Sequence, residues 1–128
     1  MISPEIFDDE RLYRSIFLSW WNFELERISA AAFLDDKGVS VDRASDRSLV
    51  DILASLKTRF RKHKLKAVAS LTARQCRDAD TYVFYSPSNN KYHSSIWNSE
   101  TEILISLPKA FDLSLAVKFD YINETMTN

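Results

Sequence analysis

One segment of the chain has a clear helical pattern: DRSLVDILASLKTRFR, residues 46–61. Apolar side chains recur in it at three- and four-residue spacing, which is the period of one helix face. Ser45 and Asp46 offer an N-cap, and the acidic first turn and basic last turn both suit the helix dipole. The sequence therefore predicts a helix over 46–61 that buries one face, made of Leu49, Ile52, Leu53, Leu56 and Phe60.

The segments before this helix have the patterns of strands and turns. Residues 11–21 mix aromatic and β-branched side chains without a helix cap, and their periodicity fits a strand or one helix face equally well. Residues 27–33, 35–38 and 39–42 predict a strand, a turn and a second strand, because the turn offers an aspartate acceptor and a glycine. Residues 1–10 predict a poorly ordered acidic lead-in.

Strands and shorter helices are predicted after the helix. The apolar run 66–71 is typical of a buried strand. Thr72 and Gln75 stand at capping-box spacing, so a short helix is expected to begin there. The remaining predicted elements are strands at 81–85 and 92–97 and a helix at 109–119 with Pro108 at its first position.

Length and composition indicate the class of protein. The chain has 128 residues, of which 45% are hydrophobic and 27% charged, as in a single globular domain spanning 1–128. Its apolar runs are far shorter than the roughly 20 residues of a membrane span, and it does not open with a signal-peptide pattern. We therefore expect a soluble, cytoplasmic α+β protein without membrane association. Its expected architecture is a small mixed or antiparallel sheet packed by one long and one or two shorter helices.

Several catalytic and metal-binding motifs are missing from the sequence. A P-loop, a dinucleotide-binding fingerprint and a nucleophile elbow each need at least two glycines, and the chain has only Gly38. The single cysteine, Cys76, excludes an internal disulfide and a cysteine-built zinc site; it is interpreted as a buried thiol, with activation at a helix N-terminus as the alternative. His63 and His93 stand 30 residues apart. The sequence thus predicts no metal centre and no cofactor, although a carboxylate site for Mg²⁺ stays open.

The charge of the chain is unevenly distributed. The net charge is −1, yet residues 57–77 contain eight basic side chains and no acidic one. Such a block either faces an anionic partner or matches acidic segments of the same chain. One hypothesis is therefore nucleic-acid or nucleotide binding, and the alternative is a solvated helix end. The candidate phosphate contacts are Arg59, Arg61, Lys62, Lys64 and Lys66.

Three tryptophans suggest a binding surface. Trp20 and Trp21 precede an asparagine, as does Trp97. Large aromatic side chains of this kind are enriched in protein interfaces, but they also build cores and line small-molecule pockets. Under the interface interpretation, the expected partner is another protein; nothing in the sequence indicates an oligomeric state.

Three short motifs resemble a family of small uncharacterised bacterial proteins. The family pattern is Arg-x-Ser-Ser-x-Ala-Phe, then Leu-Ser-Val-x-Arg, then Pro-x-x-Asn-x-x-His, and it is similar to residues 27–33, 39–43 and 87–93. Val39 replaces the usual leucine. The family has no established activity, so the resemblance implies no catalytic residues. The matched positions are Arg27, Ser29, Phe33, Ser40, Arg43 and His93.

Four of these matched residues are candidates for a ligand site: Arg27, Ser40, Arg43 and His93. We expect His93 and Arg43 to approach each other, because polar residues on neighbouring strands converge at a sheet edge or pocket. Two guanidinium groups, an imidazole and a hydroxyl would suit an anionic ligand. The alternative is that the arginines are structural and pair with Asp35, Asp36, Asp42 or Asp46.

A weaker similarity concerns Leu12-Tyr13-Arg14, which resembles the start of RES-domain toxins. Those toxins degrade NAD within an ADP-ribosyltransferase-like fold, so the resemblance implies an NAD-acting or ADP-ribosyl-type enzyme. The catalytic glutamate of such an enzyme would be Glu100 or Glu102. Trp21-Asn22 lacks the glycines of that family's Arg-Trp-Asn stretch.

The sequence leaves three functions open. The preferred one is a small bacterial binding or accessory protein without its own catalysis, belonging to a defence or toxin–antitoxin set, because no nucleophile, metal or cofactor motif is present. The second is nucleic-acid or nucleotide binding through residues 57–77. The third is a small enzyme, either built on the four matched polar residues or acting on NAD.

Overall fold

The computed structural model describes residues 2–126, which form eight strands and three α-helices. The strands are β1 (Arg11–Phe17), β2 (Trp21–Asn22), β3 (Arg27–Ile28), β4 (Val39–Arg43), β5 (Leu65–Thr72), β6 (Tyr82–Tyr85), β7 (His93–Trp97) and β8 (Lys118–Ile122). The helices are α1 (Leu49–Arg59), α2 (Ala73–Asp78) and α3 (Leu107–Ala116), with 3₁₀ turns at Leu18–Trp20 and Ala30–Phe33.

Six of the strands form one sheet in the order β6-β7-β4-β1-β5-β8, and β2 and β3 form a separate two-stranded ribbon. All five strand pairs of the large sheet are antiparallel. With 27% of the residues in helices and 30% in strands, the fold is α+β, as predicted. Within residues 2–126, none of the helices has the length and apolar character needed to cross a membrane.

The sheet separates two apolar clusters, because successive side chains of a strand point to opposite faces. On one face, Leu12 and Ile16 of β1 pack in a large cluster that includes Ala110 and Leu113 of α3. On the other face, Tyr13 of β1 packs in a smaller cluster formed with α1. Helix α1 therefore covers one side of the sheet, and α3 belongs to the core on the other.

Helix α1 confirms the predicted helix but is shorter than expected. It begins at Leu49 with Ser48 as its N-cap, whose hydroxyl accepts from the amide of Asp51 at 3.2 Å. Ile52 and Leu56 are fully buried, as predicted. The prediction for Leu49 was wrong, since its side chain is 42% exposed. Because the helix starts later than expected, Leu49 lies in its first turn and not a full turn inside it.

Two local motifs are confirmed in detail. Thr72 caps α2: its hydroxyl accepts from the Gln75 amide at 3.1 Å, and the Gln75 side chain accepts from the Thr72 amide at 2.8 Å. Gly38 closes the turn that begins at Asp35 and has a φ of +95°. A Cβ atom at Gly38 would lie 2.8 Å from the indole nitrogen of Trp97, so this position requires glycine for space as well as for backbone conformation.

Other elements differ from the prediction. Only Arg27–Ile28 of the strand expected at 27–33 is extended, and Ala30–Phe33 forms a 3₁₀ turn. The helix expected at 109–119 ends at Ala116, and Lys118–Ile122 is an edge strand that pairs with β5. The run before β8 carries no periodicity that distinguishes a strand from a helix, and pairing with β5 gives Lys118–Ile122 its extended conformation.

The N-terminal segment, predicted as a poorly ordered lead-in, has contacts in the described residues 2–10. Ile6 is buried in the large apolar cluster. The Arg43 guanidinium forms a bidentate ion pair with Glu10 at 2.7 and 2.8 Å, and it also donates to the carbonyl oxygens of Ser3 and Glu5. The buried Ile6 side chain therefore anchors this segment in the core, and the Arg43 contacts hold it against β4.

Leu56→Ala is expected to lower the free energy of unfolding by about 2–5 kcal/mol, the usual cost of truncating a buried leucine. Leu49→Ala on the exposed side of the same helix is the matched control and should change it by less than about 0.5 kcal/mol. Urea denaturation of both variants measures the difference, and equal costs would contradict the described orientation of α1.

Cys76 is expected to resist alkylation in the folded protein. Burial raises the pKa of its thiol to about 12, so the reactive thiolate is scarce at neutral pH and also inaccessible. Iodoacetamide labelling followed by mass spectrometry should modify Cys76 in urea but not in buffer. Complete labelling of the native protein would support the alternative of an activated thiol.

Candidate ligand-binding cleft

A cleft opens in the sheet where β1 and β4 separate. These strands pair at only two positions, Leu12 with Arg43 and Tyr13 with Asp42, whereas β1 pairs with β5 along its whole length. Beyond Tyr13 the space between the two strands forms a cavity of about 380 Å³, which α1 and the loop after β6 border. Its polar lining includes Arg14, Ser40, Asp42, Arg59, Asn90 and His93.

Arg14 lies in the gap between the strands. Its side chain is 7% exposed, and it donates from Nε to the carbonyl of Ala32 at 3.0 Å and from Nη1 to the carbonyl of Ser40 at 2.8 Å. Its guanidinium also stacks 4.9 Å from the centre of the Trp20 ring. The Arg14 side chain thus donates to a carbonyl oxygen of β4 that would otherwise accept a hydrogen bond from a paired strand.

The charge of Arg14 has no ion-pair partner in residues 2–126. Burial lowers the pKa of Arg14 to about 10, and the more distant Asp35 opposes this shift only in part. Backbone carbonyls satisfy hydrogen bonds but do not neutralise a charge, so the desolvated guanidinium has only the partial compensation that Asp35 gives. Asp35 and Asp42 also line the cleft, and Asp42 pairs with Arg59, so Arg14 is the guanidinium of the lining that has no ion pair within residues 2–126.

Ser40 and His93 lie within hydrogen-bond distance of each other. Both side chains project from the same face of neighbouring strands, and the Ser40 hydroxyl is 3.0 Å from Nε2 of the imidazole. The other ring nitrogen, Nδ1, is 2.7 Å from the carbonyl oxygen of Ser86. Because a carbonyl oxygen only accepts, Nδ1 carries a proton, and in the tautomer that is protonated there alone Nε2 accepts from the Ser40 hydroxyl.

Asp42 joins three elements around the cleft. Its side chain is 5% exposed and binds both terminal nitrogens of Arg59 at 3.1 Å. It also accepts from Asn90 at 2.9 Å and lies 3.5 Å from Arg47. The carboxylate thereby holds the end of α1 and the loop containing Asn90 against β4, and two guanidinium groups share one negative charge.

An aromatic wall completes the cleft. The Phe17 ring lies 5.1 Å from that of Trp20 and 5.4 Å from that of Phe60, and all three residues line the cavity. Rings at these separations make a continuous apolar surface. The cleft thus combines a positive charge, a hydroxyl–imidazole pair and an apolar side.

The four predicted ligand residues do not form one cluster. Ser40 and His93 meet in the cleft, but Arg43 follows Asp42 along β4 and packs on the opposite face, where Tyr85 covers its guanidinium. Its carboxylate partner is Glu10, not one of the four predicted aspartates. Arg27 is exposed on the separate β2–β3 ribbon. Alternation of side chains along a strand keeps Arg43 away from Ser40.

The candidate nucleic-acid residues are also divided. Arg59 binds Asp42, and Lys66 is 4% exposed and donates to the carbonyls of Asn123 and Met126 at 2.8 and 2.9 Å. Arg61, Lys62 and Lys64 are exposed in the turn after α1 and form no ion pair in the described part of the chain. The basic block therefore does not present one continuous unpaired surface.

Each tryptophan is packed against neighbouring side chains. Trp20 borders the cleft, Trp21 packs 5.3 Å from Phe119, and Trp97 packs 4.8 Å from Phe84. All three are only partly exposed. Leu107, Phe111 and Leu115 on α3 are more exposed and stand four residues apart along the helix.

A wider depression of about 760 Å³ lies between the N-terminal segment and β6. It is more open than the cleft, and its arginine, Arg77, already pairs with Asp8 at 2.6 Å. Glu100 and Glu102, the late glutamates of the toxin resemblance, are exposed in the turn after β7 and do not line the cleft. Neither place offers the combination of groups found around Arg14.

Sequence reasoning missed Arg14, Asp42 and Asn90 as parts of a site. One signal was available: Arg14 is a charged residue in the middle of a strand that is otherwise mostly apolar or aromatic. In residues 2–126, no cluster of three or more histidine, cysteine or acidic side chains could hold a metal ion. Comparisons with protein-family models, curated proteins and solved structures found no match for this chain.

Proposed function

We propose that the protein binds a small anionic molecule in the cleft between β1 and β4. The observation that supports this most directly is the buried guanidinium of Arg14, which lines the cleft and has no carboxylate partner among residues 2–126. A buried charge that is compensated only in part costs folding free energy, and a bound anion would offset that cost. The ligand is therefore expected to place its negative group beside Arg14.

The rest of the cleft restricts the ligand further. Its volume of about 380 Å³ is in the range of small-molecule sites. Ser40 and His93 offer hydrogen bonds on one side, and Trp20 offers an aromatic surface on the other. A carboxylate or phosphate attached to a compact apolar or planar group suits this arrangement.

This proposal makes the earlier hypothesis of a binding or accessory protein more specific, because it names a small anion as what the protein binds. A place in a bacterial defence or toxin–antitoxin set stays a prediction, which the genes adjacent to this one would test. Nucleic-acid binding has less support, because Arg59 and Lys66 have partners within the fold. A nucleotide phosphate remains among the anions that the cleft would accept.

Anionic ligands are expected to raise the melting temperature of the protein. The test is a thermal-shift screen with carboxylic acids, inorganic phosphate and nucleoside phosphates, followed by calorimetric titration of any hit. A ligand at about 100 times its Kd would stabilise the fold by about 2.7 kcal/mol. Binding should weaken at high salt, because screening reduces the attraction between charges.

Arg14→Gln should abolish the shift, since it keeps hydrogen-bonding capacity but removes the charge. Arg27→Gln is the matched control: it removes the same charge from an exposed position on the β2–β3 ribbon and should bind normally. Urea denaturation of both variants checks that they fold. Equal binding by the Arg14 variant and the wild type, or binding lost in the Arg27 variant alone, would refute the assignment.

A further inference from the structure

We propose that Ser40 is a nucleophile activated by His93, and that the cleft hydrolyses small carboxylic esters through an acyl-Ser40 intermediate. This inference rests on the proposed ligand-binding cleft and names its substrate class. The acid released by such a reaction is a carboxylate, which is the kind of anion that Arg14 would attract.

The first argument is the order of hydrogen bonds from Ser86 through His93 to Ser40. The Ser86 carbonyl accepts from Nδ1 at 2.7 Å, and in the tautomer protonated at Nδ1 the lone pair of Nε2 faces the Ser40 hydroxyl 3.0 Å away. A nucleophile, a base within hydrogen-bond reach and a third group that orients the base define an activated serine. Here a backbone carbonyl occupies the orienting position.

The second argument is that the hydroxyl is accessible. Ser40 is exposed, although Val39 and Val41 on either side of it are buried. Both Ser40 and His93 line the cleft, so a substrate bound there would contact the hydroxyl directly. A hydroxyl–imidazole pair that served only to stabilise the sheet would not need this access.

The third argument is the positive charge beside the Ser40 main chain. Arg14 Nη1 lies 2.8 Å from the main-chain carbonyl of Ser40, so the guanidinium is adjacent to the residue that would attack. In ester hydrolysis, negative charge develops on the carbonyl oxygen of the substrate. A desolvated cation held in advance near that oxygen lowers the barrier to attack.

The reaction would proceed in two balanced steps. As Ser40 Oγ bonds to the ester carbonyl carbon, its proton moves to His93 Nε2; the carbon–oxygen bond of the leaving group then breaks, and the departing alcohol oxygen takes that proton. In the second step, water gives a proton to Nε2 and attacks the acyl-serine. Ser40 Oγ recovers the proton as the carboxylic acid leaves.

The test uses p-nitrophenyl acetate and the full-length protein. Release of nitrophenolate is followed by absorbance, and peptide mass spectrometry locates the acetyl group after a brief incubation. We expect acetylation at Ser40 and its loss in Ser40→Ala. Ser40→Cys keeps a nucleophile beside the imidazole and should accept the acetyl group at the same position.

The role of the base is tested separately. His93→Gln should slow acylation by roughly 100-fold or more, the usual contribution of a general base. Ser19→Ala, an exposed serine outside the cleft lining, should react at the wild-type rate. Urea denaturation of each variant establishes that it is folded.

The outcomes separate this inference from the proposed function. Acetyl groups found only on lysines, or a wild-type rate in Ser40→Ala, would overturn the assignment of Ser40 as the nucleophile. The proposed anion binding would still hold if carboxylates shift the melting temperature. Absence of both acylation and any such shift would overturn both. Acyl-Ser40 in the wild type together with slow acylation in His93→Gln would support the mechanism.

Discussion

The separation of β1 from β4 is the constraint on which the site depends. Two antiparallel strands that stay paired leave no space between them, and these two stop pairing after Tyr13 and Asp42. Separated strands leave backbone carbonyls without partners. The Arg14 guanidinium supplies charge-assisted hydrogen bonds to two such carbonyls, those of Ala32 and Ser40. One side chain thus keeps the backbone satisfied, holds the cleft open and places a positive charge inside it.

The side chains of β4 have different roles on the two faces of the sheet. Alternation along β4 directs Ser40 and Asp42 to the cleft and Val39, Val41 and Arg43 to the opposite side. Arg43 there fastens the N-terminal segment through Glu10, while Asp42 fastens α1 and the loop before β7 through Arg59 and Asn90. Two neighbouring residues of opposite charge therefore stabilise two separate parts of the fold.

Several side chains of the basic block at 57–77 bind residues that are distant in the sequence. Arg59 meets Asp42, Arg77 meets Asp8, and Lys66 meets carbonyl oxygens near the C-terminus. Arg74 pairs with Asp78 one helical turn away. The interpretation of the block as a match to acidic segments of the same chain accounts for these contacts. Lys57 lies over the Tyr121 ring and is exposed, as are Arg61, Lys62 and Lys64.

Local sequence determined the elements whose signals are local. The capping box at Thr72, the turn at Gly38 and the buried positions Ile52 and Leu56 were predicted because caps, turn residues and helical periodicity act over a few residues. Ser40 and His93 were singled out differently, by the short motifs that resemble a protein family. Tertiary structure alone decided that β8 is a strand, that Arg43 faces away from Ser40, and that Arg14 forms no ion pair within residues 2–126. These facts depend on which strands pair and where pairing stops. Both are determined by contacts between residues far apart in the chain, which no short motif encodes.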